Sequence, residues 1–310
     1  IAPIPPYPPD DADQVVTVSI EYGRMSGRVQ KGDLIRVQSR VVDVGSSSLT
    51  IETILLREHI SKFPTEAPSF NVVMQLQLTF VAVCKEGRPY KNVPRLSDAD
   101  DSALARSQHA RLVKKTVREI ENDGKWNEFC SDGIENVKCD PFHDQRLSWT
   151  KMTETTALFS KQYLPRHENF GGIVFGGDVL LMLERAAVYC GRRFTRESHI
   201  QCIAIYDVHF KVPIKPTSIL LVTARVVYVR QYCIEVEVVV NTDRSHQGVG
   251  PERSHTAYFT IVTHDGTGRL LPIHVGLSLE EADEESKRAY KKAKFRIETA
   301  SWIPEEDAAL

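Results

Sequence analysis

Residues 175–193 read FGGDVLLMLERAAVYCGRR, and this stretch decides the fold. Val179, Leu180, Met182, Leu183, Ala186, Ala187 and Val188 put apolar side chains on most sides of a helix. Glu184 and Arg185 are the exceptions. A helix that is apolar on most faces is a buried one. The β-branched runs that follow, residues 201–212 and 218–230, read as strands. A long buried helix followed by antiparallel strands that wrap it predicts an α+β module.

Working outward, the strands after this helix repeat the opening third of the chain. Val29-Gln30-Lys31-Gly32-Asp33-Leu34 aligns with Ile214-Lys215-Pro216-Thr217-Ser218-Ile219 at an offset of 185. At that offset Arg40-Val41-Val42-Asp43-Val44 falls on Arg225-Val226-Val227-Tyr228-Val229. Leu49-Thr50-Ile51-Glu52 likewise falls on Ile234-Glu235-Val236-Glu237. Phe80-Val81-Ala82-Val83 matches Phe259-Thr260-Ile261-Val262 at a slightly smaller offset; Gly87 then matches Gly266, and Pro94 matches Pro272. Self-similarity of this length marks a duplicated module. In the first copy, strands are expected at 15–20, 33–44, 48–56 and 72–83, with a loop at 63–70. Gly45-Ser46-Ser47 is the hairpin turn between the second and third. Charged helices at 98–121 and 279–294 close the two copies.

The expected organisation is a proline-rich arm (1–14), a first module (15–121), a linker (122–149), a second module (150–298) and a tail (299–310). The arm holds five prolines and three aspartates within residues 1–13 and has no periodicity. Subtracting 185 from Phe175 puts the first copy's Phe-Gly-Gly about ten residues before Ile1. The first module is therefore expected to lack its central helix in this sequence.

Composition narrows the function. A chain of 310 residues suits two domains, each with a full core. Lys+Arg number 39 against 41 Asp+Glu, a formal charge of −2, which argues against an electrostatically driven nucleic-acid binder. Nucleic acid enters only indirectly, through membership of a ribonucleoprotein. No apolar run reaches about 18 residues, so no membrane span is expected. None of the six cysteines is spaced as CxxC, which gives no sign of a zinc ribbon or a thioredoxin-like site. Cys190, Cys202 and Cys233 sit in apolar patterns and read as reduced core residues. No metal site is expected, and no G-x-S-x-G nucleophile elbow occurs.

Residues 167–193, with Phe175-Gly176-Gly177 opening a buried helix, resemble the hotdog motif of the acyl-CoA thioesterases. So does the strand end Asp207-Val208-His209-Phe210-Lys211-Val212-Pro213-Ile214. With the duplication, the chain is similar to the mitochondrial double-hotdog acyl-CoA thioesterases over roughly residues 15–115 and 150–298. The resemblance implies an α+β double hotdog, two antiparallel sheets each wrapping a central helix, the first of which is missing here. It implies hydrolysis of acyl-CoA to free fatty acid and CoA. CoA then enters as part of the substrate, and no separate cofactor is called for. It also implies further association into an oligomer and a place in the mitochondrial matrix.

The chemistry falls on the helix and its approach. Gly176 and Gly177 leave the helix N-terminus uncovered, where unpaired amides carry partial positive charge. Such amides can polarise a thioester carbonyl and hold the oxyanion formed on hydrolysis. The same glycines would equally serve tight helix–sheet packing. Glu184 is the only carboxylate inside the apolar stretch, and burial would raise its pKa toward the range of a general base. The resemblance gives that role to an acidic residue, usually Asp, at the matching position; Glu is one methylene longer. The alternative for Glu184 is an ion pair with Arg185, Arg192 or a residue of the other module. Phe175, His167 and Asp178 flank the helix opening and are expected to touch substrate, although His167 also fits a surface loop. Family members often carry Asn or Asp two residues before the Phe. Here that position is Ile173, which can neither orient water nor hydrogen-bond a carbonyl.

Three features outside the helix have plainer readings. Asp207 and His209 alternate on a strand and are expected on a polar face packed against the other module. Lys287, Arg288, Lys291, Lys292 and Lys294 form one basic side of the last helix, a solvated face favoured by the helix dipole or a contact for CoA phosphates. Gly248-Val249-Gly250 precedes no helix and is no phosphate cradle. Ile173, Glu184 in place of Asp, the missing helix and the proline arm motivate a second functional reading. In it the chain is a catalytically inactive hotdog, a structural subunit or assembly factor of a large mitochondrial complex such as the mitochondrial ribosome.

Overall fold

A computed structural model describes residues 14–59, 69–84, 87–96, 105, 108, 140–169, 171–244 and 248–299. The chain divides into two compact units, 1–118 and 119–310. The proline-rich arm to residue 13, the loop at 63–68, nearly all of the helix expected at 98–121, the linker to residue 139 with Cys130 and Cys139, and the tail from 300 lie outside the described residues.

Unit one is a sheet of four antiparallel strands in the order β2-β3-β4-β1. They are β1 (Gln14–Met25), β2 (Leu34–Val44), β3 (Ser48–His59) and β4 (Ser69–Val83). β1, β3 and β4 run past their expected ends, because a neighbouring ladder carries residues of weak β-propensity along with it. The β2–β3 turn is the expected Gly45-Ser46-Ser47, closed by the Gly45 amide donating to the Ser48 carbonyl at 2.8 Å.

Unit two has β5 (Ser148–Lys151), β6 (Ala157–Gln162), α1 (Gly176–Thr195), β7 (Ile200–Phe210), β8 (Ile219–Val229), β9 (Cys233–Arg244), β10 (Val249–Thr263), β11 (Val275–Ser278) and α2 (Glu284–Thr299). Its main sheet is antiparallel in the order β7-β10-β9-β8-β6, and β5 pairs with β11 in parallel. The sheet wraps α1, as expected of a hotdog. Gly191 permits a close approach: a Cβ there would meet Ile234 Cδ1 at 3.1 Å. Val179, Leu183, Ala186, Ala187, Cys190 and Phe194 form the buried stripe of α1. The helix is not apolar-buried all round, however. Leu181, Arg185 and Tyr189, spaced four apart, form an exposed stripe. The opposite face of the sheet is covered by α2, whose Ser286, Ala289, Tyr290, Ala293 and Ile297 are buried.

The repeat holds in backbone detail. β2 and β3 fall on β8 and β9 at the offset of 185, end to end. The irregularity between Val41 and Asp43 recurs between Val226 and Tyr228. Gly45 donating to Ser48 recurs as Arg230 donating to Cys233, also at 2.8 Å. The Arg40–Glu52 ion pair recurs as Arg225–Glu237, with Nε to Oε2 at 2.8 Å in both. β4 falls on β10 at an offset of 181: Leu55 faces Met74, and Val240 faces His255. This register corrects two expected matches: Phe80 falls on Ile261 rather than Phe259, and a glycine shifts with it. The Cys84 amide donates to Arg88 O and the Asp265 amide to Arg269 O, so Gly87 corresponds to Gly268 rather than Gly266.

The end of the expected linker is structured. Arg146 is buried, pairs with Asp140 at 2.8 Å, and donates to the carbonyls of Ile273 and Arg230. Residues 140–151 are thus fastened into unit two by a buried charge whose hydrogen bonds are met by backbone, a connection no local pattern signals. Cys190, Cys202 and Cys233 are free, and burial pushes their thiols up to about 12, the inert state expected of core cysteines.

Candidate active site at the head of α1

α1 begins without a side-chain cap. Phe175, the residue before its first turn, has extended backbone, and its carbonyl accepts from the amides of Asp178 (3.0 Å) and Val179 (3.3 Å). The amides of Gly176 and Gly177 have no partner among the described residues, which leaves two donors at the positive end of the helix dipole. Backbone bonds fix the approach: Val174 N donates to Ile214 O at 2.8 Å, and Phe175 N to His167 O at 3.0 Å. Space accounts for Gly177 but not for Gly176. A Cβ on Gly177 would lie 2.5 Å from the Phe175 ring, which folds over it, and one on Gly176 would lie 3.8 Å from the Phe210 ring. Phe175 itself is 60% exposed.

The other expected contacts flank this head. His167 ends a short 3-10 turn, hydrogen-bonds Leu164 through Nδ1, and meets the Tyr163 ring edge-on at 5.3 Å. Asp178 sits in the first turn, and its carbonyl accepts from the Tyr163 hydroxyl at 2.9 Å. Burial, helped by the Asp178 charge, pushes the Tyr163 hydroxyl up to about 12 and keeps it a donor. Ile173 is held by Asn169, whose Oδ1 accepts from the Gly171 and Ile173 amides. Neither Tyr163 nor Asn169 was marked by the sequence, because both act on backbone groups that only the folded loop brings near.

Glu184 lies two turns further along α1, half-buried. Burial raises its pKa above the ordinary carboxylate value, and the Arg185 charge opposes this only in part. It makes no hydrogen bond or ion pair among the described residues, so the expected alternative of a pair with Arg185 or Arg192 is not formed. No group of His, Cys, Asp and Glu able to hold a metal occurs among the described residues.

Asp207 departs from its expected setting. Its φ of 46° breaks the strand's alternation at a bulge. Its carboxylate turns instead toward α2, 3.4 Å from Arg296. Arg296 also pairs with the buried Glu235 and stacks 3.9 Å over the Tyr258 ring. The polar face of β7 thus serves the covering helix, because a buried arginine needs acidic partners. In the basic side of α2, Lys287 is engaged by Glu284 at 3.1 Å.

Residues 171–248 match a family model described as the thioesterase superfamily. Unit two has the hotdog architecture, and the match falls within it. Among similar proteins, Protein VdlD of Helicobacter pylori is 28% identical over 123 residues, which cover 39% of this chain and 69% of that protein. An apo-hexameric acyl-CoA thioesterase structure is 22% identical with a TM-score of 0.46, covering 49% of this chain and 94% of the other. An acyl-CoA hydrolase from Staphylococcus aureus, solved with butyryl coenzyme A, coenzyme A and coenzyme A disulfide, is 23% identical with a TM-score of 0.43, covering 48% and 88%. The matched thioesterase segment takes in α1, β7, β8 and β9, so the head of α1 and Glu184 both lie inside it. No described helix is long and apolar enough to cross a membrane.

Proposed function

We propose that the chain hydrolyses acyl-CoA thioesters at the head and second turn of α1. The observation that carries this reading is Glu184, a half-buried carboxylate with raised pKa and no partner among the described residues, on the same helix as two glycine amides likewise unpaired there. The thioester oxygen accepts from the Gly176 and Gly177 amides, which stabilise it as negative charge develops. Glu184 takes a proton from water as the water oxygen bonds to the carbonyl carbon. The carbon–sulfur bond then breaks, and the CoA thiolate leaves with the proton from Glu184, giving a carboxylic acid and the CoA thiol. Eight residues separate Gly176 from Glu184, about 12 Å along the axis, and helical side chains lean back toward the N-terminus. The thioester group and its water fill the remaining gap.

A second reading is favoured by the exposed apolar side chains of Phe175, Leu181 and Tyr189 along α1, which suit association. In it the chain is a silent hotdog held in a larger assembly. One assay separates the two. The purified chain is tested against short- to long-chain acyl-CoAs with Glu184→Gln as control, and turnover no higher than that control ends the enzyme reading. Either way the proposed compartment is the mitochondrial matrix, which fractionation tests.

A further inference from the structure

The face of unit two's sheet that lies against α1 is apolar almost throughout. On β8 and β9 it is built by alternate residues from Leu220 to Val226 and from Ile234 to Val240, each fully or nearly fully buried. Besides the exposed Glu252, which faces Thr242, and Thr263, whose hydroxyl donates to Leu271 O at 2.7 Å, strand register places two buried polar residues on this face among β8, β9 and β10. His255 lies directly opposite Val240, and Thr242 is the next residue on that face of β9. Both are buried, at 3% and 0% exposure, and His255 Nδ1 and Thr242 Oγ1 have no hydrogen-bond partner among the described residues. Leaving such a group unsatisfied costs about 1–3 kcal/mol. The fold gains nothing visible from either.

Their position explains them. His255 meets the Phe210 ring edge-on at 5.1 Å between centroids. Phe210 in turn is the side chain lying against Gly176. His255 therefore lies one ring away from the amides that receive the thioester, with Thr242 next along the same sheet face. Burial lowers the His255 pKa to about 4, so the imidazole is neutral and one nitrogen donates while the other accepts. A threonine hydroxyl also does both. Two neutral groups of this kind fit an uncharged oxygen and offer no charge to a carboxylate.

We propose that Thr242 and His255 select acyl groups carrying a hydroxyl or keto oxygen close to the thioester, over unsubstituted chains of equal length. The inference rests on the thioesterase reading of the site, and Phe210 turns aside to admit the oxygen. A site built to hydrogen-bond a substrate oxygen rejects the analogue that lacks it, because its own buried groups are then left unpaired.

The test uses non-hydrolysable thioether analogues of one acyl-CoA, with and without a hydroxyl on the third carbon, titrated calorimetrically into the full chain. The hydroxylated analogue is expected to bind at least tenfold more tightly. The ratio should fall close to one in Thr242→Val and in His255→Leu, with partial recovery in His255→Gln. Neither apolar variant should melt below the wild type, since each removes an unsatisfied group. Equal binding of the two analogues by the wild type overturns the proposal, and so does an unchanged ratio in both variants; the pair then holds buried water only. Discrimination without any turnover of acyl-CoA keeps the pair as a binding site and ends the hydrolase reading. Turnover without discrimination ends this inference alone, and failure of both analogues to bind ends both.

Discussion

Val37 and Val222 occupy the same place in two copies of one strand, 185 residues apart. Val222 is 1% exposed and Val37 is 60% exposed. The same contrast runs along the strands. Leu49 and Ile51 are half-buried where Ile234 and Val236 are fully buried, and Met74, Leu76 and Leu78 are half-buried where His255, Ala257 and Phe259 are buried. Yet the two sheets share their register, irregularities, hairpin turn and arginine–glutamate pair. Ladder geometry therefore persists where the packing does not. It is specified by backbone hydrogen bonds and side-chain alternation within the sheet, whereas burial of the inner face is supplied by α1.

The largest test of this contrast is chemical. Glu184→Gln should lower turnover by at least about a thousandfold, since it removes the group that takes the proton from water. Turnover of the wild type should rise with pH through a midpoint above the ordinary carboxylate range, because the base acts deprotonated and its pKa is raised. A profile flat across that range removes Glu184 as the base.

The duplicated ion pair gives the next test. Arg225 is largely covered and also donates to Ser286 of α2, while the Arg40 side chain is 44% exposed. Arg225→Ala leaves the buried Glu237 without a cation, held only by the Tyr258 hydroxyl at 3.0 Å, and should cost about 3–5 kcal/mol. Arg40→Ala should cost less, about 1–2 kcal/mol, because solvent reaches the arginine although the Glu52 side chain is only 10% exposed. Denaturant titration of both variants measures the two costs, and equal losses would show that the cover over the pair has no energetic weight.

His255 sharpens the contrast by pH, since its counterpart Met74 does not titrate. The folded value is lowered to about 4 by burial, so the unfolded chain binds the proton more readily. The stability this gives is complete above the unfolded value of about 6.5 and is lost as pH falls toward 4, by roughly 3 kcal/mol. His255→Leu should flatten that slope in melts taken between pH 7 and 4. The smallest effect belongs to the opening pair. Val222→Ala should cost about 2 kcal/mol and Val37→Ala under about 0.5 kcal/mol, read from the same denaturant curves.

Much of this was legible in the sequence. Periodicity revealed α1, β-branched runs revealed the long strands, and the 185-residue offset revealed the repeat before any coordinates. Glu184 stood out as the lone carboxylate in an apolar stretch. The short strands escaped notice: Ala157–Gln162 reads ALFSKQ, which has little β-propensity and is a strand because β8 offers it a ladder. Asp207 looked like one member of an alternating pair, since a bulge is a backbone event without a residue signature. His255 and Thr242 carry no mark in the sequence for another reason. An unsatisfied polar atom is defined by what surrounds it, and the surroundings are assembled from β9, β10 and α1 together.

Arg146 bears on how the molecule is made. Its carbonyl partners lie 84 and 127 residues downstream, at Arg230 and Ile273. β5, just after it, pairs only with Val275–Ser278. During synthesis at roughly 5–20 residues per second, this segment waits on the order of ten seconds for its partners to emerge from the ribosome. β2, β3 and β4 can instead pair as soon as each follows the last. The start of unit two is therefore the longest-exposed part of its nascent chain, and the place where a chaperone would have the most time to act.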